Sequence, residues 1–195
     1  MDTIVSTPAD AGNPLLQDWT APFGLPDFAA IRPEHFEPAF RAAMAAHRQE
    51  LAAIVADPAT PAFDNTLGAF DRSGRVLARI ASVFYNLTAS HTNPALQAVQ
   101  REMAGPLAAH ENAIYLDAGL FARIEAVHER RTALGLTAEQ LRLLERVHLD
   151  FVRAGARLQG PARARYAQVM EQLAALTTRF AQNVLHDESG WHLAL

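Results

Sequence analysis

From Pro33 to about His186 apolar residues return every three or four positions, a period that admits helices and excludes a sheet. Short clusters of Pro, Gly, Asp and Asn punctuate the pattern. The first predicted helix covers about 33–56 and lines up Phe36, Phe40, Met44, Leu51 and Ile54. Pro33 or Pro38 sits near its opening, where a missing N–H is tolerated, and Asp57-Pro58 with Pro61 stops it. The second covers about 64–89, with Phe63, Leu67, Phe70, Leu77, Ile80, Phe84 and Leu87 on one face. The third opens on Asn93 as cap and Pro94 as first residue, with a bend or break expected at Gly105-Pro106 before it ends near Ile114. The fourth follows Asp117, carries Leu120, Phe121, Ile124, Val127 and Leu134, and is closed by Gly135. The fifth starts with the capping box Thr137-Ala138-Glu139-Gln140 and presents Leu141, Leu144, Val147, Phe151 and Leu158. Gly160-Pro161 separates it from a sixth, with Tyr166, Val169, Leu173, Leu176, Phe180 and Val184 read as its core face, to about His186. Short connections and the absence of a 20–50-residue repeat predict an all-α, elongated bundle of about six antiparallel helices rather than a solenoid.

Outside the bundle the expectations differ. Residues 1–12 read as a flexible start. The stretch 13–32 carries Pro14, Pro22 and Pro26 yet also Leu15, Trp19, Phe23, Leu25 and Phe28, so it reads as an ordered extended strap laid across helices. The helical region extends to 188. Residues 189–195, ending Trp191-His192-Leu193-Ala194-Leu195, read as the start of a strand with no partner, as in a truncated fold.

Composition limits function. Half of the residues are hydrophobic, enough for a core without cross-links. With no cysteine there is neither a disulfide framework nor a thiolate metal site, which fits a reducing cytoplasm. All 17 basic residues are arginine, dispersed among 21 acids for a net charge of −4, so no basic stripe suits nucleic acid. The N-terminus has no secretory pattern, and no apolar run reaches the roughly 18 residues of a membrane span. A soluble cytoplasmic protein is expected.

Chemistry is scarce. Two segments begin like the zinc motif His-Glu-x-x-His, which needs two His on one helix face and a Glu to activate water. His110-Glu111-Asn112-Ala113-Ile114 and His128-Glu129-Arg130-Arg131-Thr132 both lack the second His. His35, His47, His91 and His148 stand apart, and the neighbours His186-Asp187-Glu188 diverge on a helix. Ser73 and Ser189 lack the Gly-x-Ser-x-Gly elbow, and no phosphate loop or dinucleotide fingerprint occurs. One window, Val83–Asn93, concentrates hydrogen-bonding side chains at a helix end. Termination of the helix with Asn93 as the next cap is its simpler account, and Tyr85, Asn86 and His91 are its candidates for facing a ligand.

Asn13-Pro14-Leu15-Leu16, Pro22-Phe23, Leu25-Pro26-Asp27-Phe28 and Ile31–Phe40 stand in an order that resembles the opening of the thimet-oligopeptidase-like zinc metallopeptidase family. Phe63-Asp64-Asn65-Thr66, Ser73-Gly74 and Phe180–Leu185 extend the resemblance from about residue 13 to the end. Ser90-His91-Thr92-Asn93, Ile114-Tyr115-Leu116 and Phe151–Ala156 look closer to its peptidyl-dipeptidase branch than to its oligopeptidase A branch. The resemblance implies the N-terminal lobe of a two-lobed enzyme with a deep channel that admits short peptides. The catalytic helix and the zinc would lie in a missing C-terminal lobe, with no catalytic or metal residue in this chain. It also implies an apolar interface that drives self-association of the isolated chain. The rival reading is a free-standing helical module that binds peptide or protein without catalysis.

Overall fold

The computed structural model describes residues 12–191. Among them there is no strand, and seven α-helices follow one another: α1 Phe36–Ala56, α2 Ala69–Arg72, α3 Arg75–Ser90, α4 Pro94–Tyr115, α5 Ala118–Glu129, α6 Ala138–Arg153 and α7 Gly160–Gly190. The all-α expectation holds. The described residues divide into two compact units, one of 12–48 with Gly74–Met103, the other of Gln49–Ser73 with 104–191.

In the first unit the rings of Phe36, Phe40 and Phe84 close on one another, with Phe84 4.9 Å from Phe36 and edge-on to Phe40 at 5.2 Å. All three are buried, as are Met44, Ile80 and Leu96. Residues 13–32 contain turns and a short 3₁₀ turn at Pro22–Gly24. They are pinned by side chains. Asn13 Nδ2 donates to His35 O at 2.8 Å, and Arg79 Nη2 donates to Gln17 O at 3.0 Å and to Leu15 O at 3.3 Å. The Arg79 guanidinium lies 4.3 Å from the centre of the Trp19 ring, a cation–π contact. Phe23, Leu25 and Phe28 of this segment are exposed.

The second unit is organised around Leu51, Ile54, Leu67, Leu120, Ile124, Val127, Leu144 and Phe151. Here α5 packs on α6. The start of α6 is the predicted capping box: Thr137 Oγ1 accepts from Gln140 N at 3.2 Å, and Gln140 Oε1 accepts from Thr137 N at 3.0 Å. Thr137→Ala should cost about 1 kcal/mol, read as a lower urea midpoint with an unchanged slope.

Helix boundaries differ from the sequence reading at five places. Helix α6 ends at Arg153, before Gly155 at φ 88°, so Leu158, expected on its core face, lies beyond it. The helix expected over 64–89 is three pieces: a π-helical turn Phe63–Gly68, then α2, then α3. The break is at Gly74, which adopts φ 69°, and a Cβ there would lie 2.7 Å from His47 Cε1, so both backbone sign and space require glycine. Conversely, α4 runs unbroken through Pro106. Proline crowds the Cβ of the residue before it, and Gly105 has none, so the helical conformation survives there. Helix α5 stops at Glu129, short of Leu134, because arginines take its last carbonyls. Arg130 Nε donates to Ala126 O at 3.1 Å and Arg131 Nη1 to His128 O at 2.8 Å. Finally, α7 continues past His186 to Gly190. Ser189 and Gly190, expected to start a strand, are helical, and residues 192–195 lie outside the described residues, as does the flexible start apart from Gly12.

The largest departure concerns what α7 covers. Its residues Val169, Leu173, Leu176, Phe180 and Val184 were expected in the core. None is buried, and Phe180 is 70% exposed.

Candidate functional site

The sequence-selected polar window forms the C-terminal end of α3. Thr88 Oγ1 donates to Tyr85 O at 3.1 Å and Ser90 Oγ to Asn86 O at 2.7 Å, so both hydroxyls serve the helix end. His91 is the C-cap, at φ −148°, its N–H donating to Leu87 O at 2.9 Å. Asn93 caps α4 as expected, its Oδ1 accepting from Leu96 N at 2.9 Å. Tyr85, Asn86 and His91 are all exposed. Tyr85 packs its ring on Phe84 at 5.4 Å, whereas Asn86, next along the helix, points about 100° away. The structure therefore presents the three as exposed side chains at one helix end.

Of the two incomplete zinc motifs, His110 is buried in α4 and His128 is stacked on His148. Among the described residues no three His, Asp or Glu side chains are arranged to hold a metal ion.

A concave site that periodicity did not reveal lies in the second unit, where the end of α1 meets the π-helical turn and α2. The depression has a volume of about 540 Å³, with Glu50, Asp57, Asp64, Asn65, Arg72 and Ser73 as its polar lining over Ala53, Ile54 and Ala69. Asn65 builds the turn: its Oδ1 accepts from Ala62 N at 2.7 Å and from Thr66 Oγ1 at 3.0 Å, and its Nδ2 donates to Thr60 O at 3.2 Å. A Cβ on Gly68 would meet Arg72 Nη1 at 3.2 Å, so the small residue lets the guanidinium lie back along the turn. Asp57 is held by Arg123, whose Nη1 donates to Asp57 O at 2.7 Å and whose Nη2 is 3.5 Å from Oδ2. The lining holds three carboxylates, one of them engaged by Arg123, and one guanidinium, so acceptors outnumber donors and the depression suits cationic and hydrogen-donating groups. The Asp64-Asn65-Thr66 and Ser73 positions were legible as part of a resemblance. Their convergence was not, because it depends on an extra residue wound into one turn, the mark of a π-helix.

No protein-family model matches the chain. Among curated proteins it is 42% identical over 173 residues to the dipeptidyl carboxypeptidase of Escherichia coli K12, covering 89% of this chain and 25% of that protein. It is likewise 42% identical over 183 residues to the dipeptidyl carboxypeptidase of Salmonella typhimurium LT2, covering 94% of this chain and 27% of that protein. Oligopeptidase A of the same Salmonella strain is 27% identical over 179 residues, covering 92% of this chain and 26% of that protein. The chain thus spans about a quarter of the length of these relatives. Over that quarter, with the dipeptidyl carboxypeptidases nearer to it than the oligopeptidases A, the chain matches the thimet-oligopeptidase-like peptidase family.

Proposed function

We propose that this chain is the N-terminal, channel-forming lobe of a longer zinc metallopeptidase that hydrolyses short peptides, releasing dipeptides from their C-terminal ends. The observation that carries this reading is the 42% identity to dipeptidyl carboxypeptidases over nearly the whole chain but only a quarter of theirs. The uncovered apolar face of α7 supports it, since such a face asks for more protein to lie on it. On this reading zinc and the catalytic groups belong to a C-terminal lobe outside these residues, and the lobe described here shapes the channel. Tyr85, Asn86 and His91 are proposed for the channel wall. The acidic depression is suited to a peptide's amino or guanidinium groups. Among the described residues no helix is long and apolar enough to cross a membrane. A cytoplasmic location is part of the proposal and rests on the cysteine-free composition.

The purified chain, incubated with short peptides and zinc, is expected to release no dipeptide and to retain no stoichiometric metal after dialysis. Turnover, or one tightly held zinc per chain, overturns the assignment. The reading frame offers a second check. Continuation to a His-Glu-x-x-His codon set supports the lobe, whereas a stop immediately after Leu195 favours a free-standing binding module.

A further inference from the structure

His128, in the last turn of α5, and His148, on α6, face each other with ring centroids 3.8 Å apart and planes 1° from parallel. The stack continues inward. Phe121 lies 5.8 Å from His148 at 24°, and Phe151 lies 6.1 Å from Phe121 at 13°. An aromatic column therefore runs from the core through two imidazoles. The His148 side chain is only 12% exposed, and its Nε2 has no hydrogen-bond partner. The nearest carboxylate, Glu125, is 4.0 Å from that nitrogen and is held instead by Arg157 Nη2 at 3.1 Å.

We propose that the His128–His148 stack is an acid-operated release between α5 and α6. Neutral imidazoles stack face to face, but two imidazolium rings at this separation repel. Even with full water screening, like charges 3.8 Å apart weaken the second protonation roughly sixfold, and by more where the rings are partly buried. The groups facing the stack do not neutralise it. Glu125 of α5 and Glu145 of α6 favour protonation, while Arg131 after α5 and Arg157 after α6 oppose it. Burial foremost holds both histidines below the ordinary imidazole value; Arg131 adds to it at His128, and at His148 the charge of His128 and then Arg157 do so.

The sign follows. An unfolded chain takes up these protons near pH 6.5, and the folded chain only at lower pH. The stack's contribution is complete above about pH 6.5 and is lost as pH falls through the lowered values. The loss acts on the α5–α6 contact, so mild acid loosens that pair. The inference concerns this chain alone and does not depend on the peptidase reading.

Nuclear magnetic resonance of the intact chain between pH 8 and 5 tests it. The two rings should titrate as a coupled pair, in two steps below about pH 6.5. After correction for intrinsic rates, α5 and α6 amides should exchange about tenfold faster at pH 5.5 than the pH 7.5 protection predicts. His148→Phe, which keeps the stack and removes one charge, should flatten that dependence, and His128→Phe serves the same purpose at the more accessible ring. Independent titration of both rings at the ordinary value overturns the proposal even if a variant fails to fold. So does an unchanged pH dependence in the folded variants.

Discussion

Replacing Phe151 by alanine should cost about 3–5 kcal/mol of stability. Phe151 is completely buried and is the hub of the second unit's aromatic packing, with ring centroids at 4.9 Å to Tyr115, 5.6 Å to Phe70 and 6.1 Å to Phe121. These partners come from α4, α2 and α5, whereas Phe151 itself is on α6. A truncation therefore removes contacts to three helices at once. The hole is framed by rings that cannot turn inward without abandoning their other partners, so collapse is limited and the cavity penalty adds to the lost transfer energy. The control is Leu149→Ala on the same helix, a residue 41% exposed, for which about 1 kcal/mol or less is expected. Urea unfolding followed by far-ultraviolet circular dichroism measures both. A loss near 1 kcal/mol for Phe151→Ala would mean that this packing is not what holds the unit together.

The residues that dominate this core were visible in the sequence because helical spacing and burial coincide there. Leu120, Ile124 and Val127 share one face of α5, and Leu144 and Phe151 one face of α6, as the three-and-four spacing required. Caps were equally legible at Asn93 and Thr137, since each side chain accepts from an amide three residues ahead, a local interaction that needs no tertiary knowledge. Breaks were not. Gly74 and Gly105 look alike in sequence, yet one carries a left-handed residue against His47 and the other relieves the crowding before a proline. What decides between them is a neighbour in space at one site and a neighbour in sequence at the other.

The candidate site was less legible for the same reason. Asp57, Asp64 and Arg72 are far apart in the periodic pattern and meet only because the π-helical turn and the end of α1 fold against each other. Likewise His148 was read as standing apart and His128 as half of a zinc motif, since a helical histidine is judged by its own helix. Their stacking is a property of the α5–α6 pairing. The family relation was readable from ordered short segments, because it rests on local residue order and not on how the helices pack.

The isolated chain should self-associate through α7, and Leu173→Glu with Phe180→Glu should weaken that association at least a hundredfold. Val169, Leu173, Leu176, Phe180 and Val184 are spaced four, three, four and four, so they form one continuous stripe along a 31-residue helix. Leu173 is 52% exposed, Leu176 57% and Phe180 70%, and no residue of the helix is buried. The helix is held to its own unit along a different side: Arg163 Nη2 donates to Leu116 O, and Ala167 O accepts from Asn112 Nδ2 at 3.4 Å. Monomers rarely leave contiguous apolar patches beyond roughly 300–600 Å². In the proposed longer enzyme the remaining chain would cover the stripe, and in its absence a second copy offers the same apolar chemistry. Burying a carboxylate in such a contact costs far more than the leucine or phenylalanine contributed, which sets the size of the effect. Because both positions face solvent in the monomer, the substitutions should leave helicity and the urea midpoint nearly unchanged. Sedimentation velocity from micromolar to hundreds of micromolar decides the matter: a concentration-dependent shift for the wild type, and a single monomer boundary for the double variant. A wild type that stays monomeric throughout would show that the stripe does not bind its own kind, and association surviving both substitutions would place the contact elsewhere.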